Sequence, residues 1–165
     1  MADETMLLLA SEVRGKTLRI LDGVTSDDEA RFTGPGLNNS ILWHAGHAIM
    51  VVEHLGLMPA TGKPAAYPAG WFEKFGWKTE PAMVREWPAL AEVKEQLRLQ
   101  LARLQDAIRS LSPAQLDVVV DKEKNRTLRY SILHGLHDEA GHQGEMYLLR
   151  KLYARKSAAA RSSGS

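Results

Sequence analysis

The stretch "LRYSILHGLHDEAGHQGEMYLLRKLYARK" runs from Leu128 to Lys156, and its reading as one long helix decides the fold. Thr127 stands before it as a capping hydroxyl. Gly135, Gly141 and Gly144 each cost about 1 kcal/mol relative to alanine inside a helix. Three such residues predict close backbone approach to another helix or to a site. An α-helix turns roughly 100° per residue. With His134 as origin, Glu145 lies near roughly 20°, Asp138 near 40° and His142 near 80°, so the four share one stripe. His137 lies roughly 140° from His142 and faces away. Asp138 and His142, one turn apart, have the spacing at which two side chains reach one small ion. Glu139, three residues before His142, is a weaker candidate for the same task.

Working outward, three more helices can be read. Apolar residues at Met6, Leu9, Ala10, Val13, Ile20, Leu21 and Val24 recur in steps of three and four, predicting an amphipathic helix that ends near Gly23. Residues 25–39, with "GPG" at Gly34–Gly36, read as a connector. Ser40 caps a second helix, "ILWHAGHAIMVVEHLGL", expected to stop before Pro59. Leu90, Val93, Leu97, Leu101, Leu104, Ile108 and Leu111 form the stripe of a third helix. Ser112-Pro113 predicts a further short turn or helix, and residues 117–127 read as a connector without a partner strand. Between the second and third helices, residues 59–88 are rich in proline and carry Tyr67, Trp71, Phe72, Phe75, Trp77 and Trp87. Connections of that length are often lids or binding loops. The plainer reading is that their aromatics pin the loop to the helices. The expected fold is all-α: a four-helix bundle with a long irregular connection between helices 2 and 3, one domain over 1–156, and a disordered tail over 157–165.

Composition bounds the function. A net charge of +1 gives no case for nucleic-acid binding, and the basic "RKLYARKSAAAR" reads as a solvated helix end. No apolar run approaches the roughly 20 residues of a membrane span. No basic region followed by an apolar run opens the chain, so a cytoplasmic protein is expected. There is no cysteine, which excludes thiolate ligands and cysteine nucleophiles; thiol chemistry needs a thiol from outside.

All six histidines fall in two helices: His44, His47 and His54 in the second, His134, His137 and His142 in the fourth. Those of the second helix lie within roughly 80° of one another, and geometry does not choose among them. One of them, facing Asp138 and His142, would complete a set of two histidines and one carboxylate, built as bundle cores build metal sites.

The pair "NSILWHAGHAIMVVE" (Asn39–Glu53) and "HDEAGHQGEMYLLRK" (His137–Lys151) resembles the DinB-like metal-binding four-helix bundle superfamily. Its pattern is a histidine in a phrase such as W-H-x-G-H in helix two, then a ligand and a histidine four apart in the last helix. The resemblance implies His47, Asp138 and His142 as metal ligands. The commonest pattern has histidine where Asp138 stands; related branches use a carboxylate. It further implies Zn, Ni, Fe or Mn as the divalent ion, with positions left open for water or substrate. His44, His134 and Glu145 become candidates that orient a ligand or handle a proton, while His54 and His137 read as structural or exposed. Two functions follow as expectations. One is a metal-dependent enzyme acting on a small molecule, either an S-transferase using a low-molecular-weight thiol cosubstrate or hydrolase-like. The other is a non-catalytic metal- or ligand-binding bundle. Relatives pair, so a homodimer is expected.

Overall fold

The structure, a computed structural model, describes residues 3–162. The chain is an all-α bundle in which α1 (Glu4–Asp22), α3 (Ile41–Val52), α6 (Leu90–Ser110) and α8 (Leu128–Ser162) are the long elements. Hydroxyls and a carboxylate start three of them, α1, α3 and α8. Asp3 accepts the Met6 N–H, Ser40 that of Trp43 and Thr127 that of Tyr130. Each satisfies a donor that a helix start leaves free. Two short helices flank the loop between α1 and α3 and the end of α6: α2 (Asp27–Arg31) and α7 (Pro113–Leu116).

Several local expectations are corrected. The connector 25–39 contains α2. The second helix does not stop before Pro59. It widens into a π-helical turn at Glu53–Leu57, and α4 (Met58–Thr61) follows. Across that turn the Met58 N–H bonds the Glu53 carbonyl, five residues back. Pro59 then sits in the first turn of a new segment, where its missing N–H costs little. In the long connection, α5 (Trp71–Phe75) forms, and Trp71 and Phe75 are buried, so these two aromatics pin the loop to the bundle. The connector 117–127 is a small hairpin: β1 (Val119–Asp121) pairs antiparallel with β2 (Arg126–Thr127). Asn125 turns it with φ 50°, a conformation asparagine tolerates better than most residues. Residues 157–162 of the tail expected to be disordered lie in α8, and 163–165 lie outside the described residues. No helix among the described residues is long and apolar enough to cross a membrane.

The core has two apolar halves with a polar layer between them. One half joins Ile20, Leu42, Ile49, Val93, Leu97, Met146 and Leu149 with Trp71 and Phe75. The other joins Met6, Ala10, Leu57, Leu104, Ile108, Ile132 and Leu136. Between them, every long helix turns a polar side chain inward. Arg14 and Thr17 come from α1, Gln100 from α6, and Glu139 and Gln143 from α8; Glu53 joins them where α3 ends. Arg14 Nε and Nη2 donate to the two Glu139 oxygens at 2.9 Å, and Nη2 also reaches Gln100 Oε1 at 2.9 Å. Gln100 Nε2 donates to Glu53 Oε2 at 2.8 Å, and Arg103 grips Glu53 with two bonds of 2.9 Å. Glu53 also takes the Ala66 N–H, which ties the start of the long connection to the bundle.

Candidate metal centre

α3 and α8 form the most extensive helix pair of the bundle. On this seam a Cβ at Gly135 would stand 3.6 Å from Val52 Cα, an ordinary van der Waals contact. Gly141 and Gly144 have no neighbour within 4 Å, so the close backbone approach expected from the sequence accounts for none of the three glycines. On α8 the two faces at this level do different work. Glu139 and Gln143 turn into the polar layer. Asp138 and His142, each one residue earlier, turn toward α3. Glu139 is therefore no rival for the ligand role, because Arg14 and Thr17 occupy both its oxygens.

The structure brings His47, Asp138 and His142 together, one potential ligand atom from each within 4.8 Å of the others. His47 is 6% exposed, and the other two are half-buried. The long connection reaches in to orient His47. Its Nδ1–H donates to the Phe75 carbonyl at 2.6 Å, which leaves Nε2 with its lone pair free. Gly46 makes this possible, since any Cβ there would run into the Phe75 ring.

His44 is held behind His142. Its Nδ1 lies 2.8 Å from His142 Nδ1, and its Nε2 lies 3.0 Å from Glu145 Oε2. Burial, and the nearby charges of His142 and His47, push the His44 pKa down to about 3, so it is neutral at pH 7. Its one proton is then best placed on Nε2, facing the carboxylate. Nδ1 of His44 must accept, Nδ1–H of His142 must donate, and Nε2 of His142 is turned toward Asp138, 3.2 Å from its Oδ2. The chain Glu145–His44–His142 thus selects the tautomer that a ligating histidine needs. His44, His142 and Glu145 also cluster closely enough to suggest a second ion. The two Nδ1 atoms are already at hydrogen-bond distance, and a proton between them accounts for the arrangement.

Charge follows the same geometry. Burial opposes charging His142, but Asp138 and Glu145 outweigh it, and its pKa is raised above 6.5. His142 beside Asp138 holds that carboxyl below its ordinary 3.8 against the effect of burial. Yet Asp138 Oδ2 is buried with no hydrogen-bond partner, so the 3.2 Å contact acts as charge attraction rather than as an aligned bond. Burial lowers the pKa of His47, with the Phe75 carbonyl working the other way. Without a metal, Asp138 and Glu145 favour a second proton on His142, a positive charge beside Asp138. A divalent cation fits the same place: two imidazole lone pairs, one orphaned carboxylate oxygen and a charge demand already present.

The remaining sequence candidates fall outside this group. His134 is half-buried, stacked between Tyr130 and His137 at 5.7 and 6.5 Å between ring centroids. His137 is exposed, as its helical position predicts. His54 Nε2 shares a hydrogen bond with the Tyr67 hydroxyl at 3.0 Å. Two residues that the sequence reading named without a role at the candidate metal ligands stand beside them. Trp43 stacks on His47 with centroids 4.5 Å apart; its place one turn before His47 in "WHAGH" was the available signal. Trp77, half exposed, stands edge-on to His47 at 6.0 Å and to His54 at 5.3 Å. A cavity of about 580 Å³ lies elsewhere, lined by Arg31, Asn39, Ser40, Thr79 and Trp87 among others and by none of the three central residues.

Comparison with known proteins agrees with the fold. The sequence profile of the DinB superfamily matches residues 9–146. A crystal structure of a conserved protein from Enterococcus faecalis is similar with a TM-score of 0.70, over 92% of this chain and 97% of that one, at 16% identity. No curated protein matches the chain.

Proposed function

The chain belongs to the DinB superfamily, and on that premise we propose that it binds one divalent metal ion through His47, Asp138 and His142 and acts as a metal-dependent enzyme on a small molecule. The observation that carries this reading is the convergence of those three side chains from facing helices, with Asp138 Oδ2 buried and unpartnered. Zn, Ni, Fe and Mn all suit two imidazoles and a carboxylate. An ion bound there supplies Lewis acidity that lowers the pKa of water or a thiol toward neutrality.

The chain's own residues do the rest. Phe75 and His44 fix the rings of His47 and His142, each through the Nδ1 atom. His44 and Glu145 are positioning residues; Glu145 is 59% exposed and opens the hydrogen-bond chain to solvent. His44 is engaged behind His142 rather than inside the ligand group, which leaves coordination positions open and favours catalysis over a purely structural site. Trp77 walls the approach with an apolar face. In S-transfer, the sulfur of a low-molecular-weight thiol forms a bond to an electrophilic carbon, the leaving group departs with its electron pair, and the thiol proton passes to solvent. In the hydrolytic variant, water oxygen takes the place of sulfur. The absence of cysteine means that the thiol is a cosubstrate.

The test is metal content of the untagged protein beside His47→Ala and Asp138→Ala. About one ion per chain is expected, lost in both variants. A wild type that carries no metal and takes up none on dialysis against the four ions overturns the reading. Metal bound without turnover across a panel of thiols and hydrolysable esters leaves a non-catalytic binding bundle.

A further inference from the structure

Among the described residues, two buried side-chain polar atoms lack a hydrogen-bond partner: Asp138 Oδ2 and Trp43 Nε1. Both belong to the histidine cluster. Asp138 Oδ2 is an acceptor, and a cation satisfies it. Trp43 Nε1–H is a donor, and no cation can satisfy it. The Trp43 ring is 92% buried, parallel to His47 at 4.5 Å and edge-on to His44 and His142 at 5.3 and 6.0 Å. None of the three histidines accepts its N–H. A buried indole N–H usually finds an acceptor, and leaving it without one is costly.

We propose that Trp43 is a ligand-recognition residue: its indole N–H donates to an acceptor atom of an anionic ligand, carboxylate-like or thiolate-like, bound at the metal centre. This rests on the metal reading and narrows its substrate class. A cation answers Asp138; an anion beside the cation answers Trp43. The pairing also balances charge, because two neutral imidazoles and one carboxylate leave a divalent ion with a net positive site. A ligand that presents only N–H donors beyond its coordinating atom gains nothing from Trp43.

The experiment follows the indole N–H resonances of the four tryptophans by NMR, that of Trp43 being assigned by its loss in Trp43→Phe. Zinc-loaded protein is titrated with acetate, which keeps a free acceptor oxygen when it coordinates, and with imidazole, which does not. Acetate should move the Trp43 resonance downfield and saturably. Trp43→Phe should bind zinc with unchanged stoichiometry and acetate roughly tenfold more weakly, the loss expected for one charge-assisted hydrogen bond. Imidazole affinity should stay the same. A Trp43 resonance indifferent to acetate while zinc remains bound overturns the inference and leaves the metal reading standing. If zinc does not bind, the metal reading fails on its own. The inference, which needs a bound cation beside the anion, then falls with it.

Discussion

Neighbouring residues on α8 serve two polar sites of opposite character. Glu139 and Gln143 enter the layer between the apolar halves, where their hydrogen bonds are met by Arg14, Thr17 and the Val13 carbonyl. Asp138 and His142, each one residue earlier, enter the histidine cluster, where Asp138 Oδ2 and Trp43 Nε1 are left unmet. Burial is nearly complete for Glu139 and Gln143 and only partial for Asp138 and His142, although Asp138 Oδ2 and Trp43 Nε1 themselves are out of solvent. A polar group buried for the fold must be satisfied by the chain itself, because desolvation is costly. A polar group buried for a ligand is satisfied when the ligand arrives. The difference between the two sites is what separates structure from function here.

The largest effect is expected from breaking the self-satisfied site. Arg14→Met leaves Glu139, which is fully buried, without its ion-pair partner. Urea denaturation should show a loss of about 3–5 kcal/mol. Adding Glu139→Leu to the same chain should recover much of that loss, since an apolar pair of similar size removes the unpaired charge. Equal stability of the Arg14→Met variant and the wild type would refute the distinction.

The histidine cluster should respond in the opposite way. Asp138→Asn should cost only about 1 kcal/mol of metal-free stability, because it forfeits the charge attraction to His142, which can shed its second proton once the carboxylate is gone. Zinc at about 100 times its dissociation constant should stabilise the wild type by about 2.7 kcal/mol and the variant hardly at all. Thermal melts with and without zinc read both numbers. A metal-free variant as damaged as Arg14→Met would mean that Asp138 is structural.

His44→Leu should weaken metal binding about 10–100-fold, by removing the acceptor that fixes the His142 tautomer. His44→Gln keeps a side-chain oxygen and should lose less. Competition with a chromogenic chelator measures both, and equal losses would count against the tautomer argument.

The smallest effect is a pH dependence in the polar layer. Burial opposes ionisation of Glu53, but bonds from Arg103, Gln100 and the Ala66 N–H outweigh it and hold its pKa below 4.5. A carboxylate depressed on folding contributes stability that is present above its unfolded pKa. That contribution is lost as pH falls through the folded one. Stability of the wild type should therefore drop between about pH 5 and pH 3, with a shallower drop in Glu53→Gln. Parallel curves for the two proteins would remove Glu53 from the account.

Much of this was legible in the sequence. The bundle could be read because a 3.6-residue period marks which face of a helix is buried, as the stripe from Leu90 to Leu111 does. The caps at Ser40, Ser112 and Thr127 could be read because a side-chain oxygen bonding a nearby N–H is a local event. The common face of Asp138 and His142, and the outward face of His137, follow from helical angle alone. The Asp117–Thr127 hairpin and the π-turn at Glu53 were missed. A three-residue strand carries little pattern, and Glu53, where the π-turn begins, has its side chain held by Arg103, Gln100 and Ala66, which are distant in sequence.

What the sequence determined by itself is the set of faces: four helices, their buried sides, and one stripe of histidines on each of two of them. What only the tertiary structure decided is the pairing across those faces. His47 faces both Asp138 and His142, its ring held by a carbonyl from the long connection, while His44 reaches His142 and Glu145 instead and His54 neither. Glu139 is withdrawn from that site because Arg14 waits on the other side. Periodicity fixes an angle about one helix axis. Choosing one residue within a stripe takes a second helix and a loop, and those positions exist only once the chain has packed.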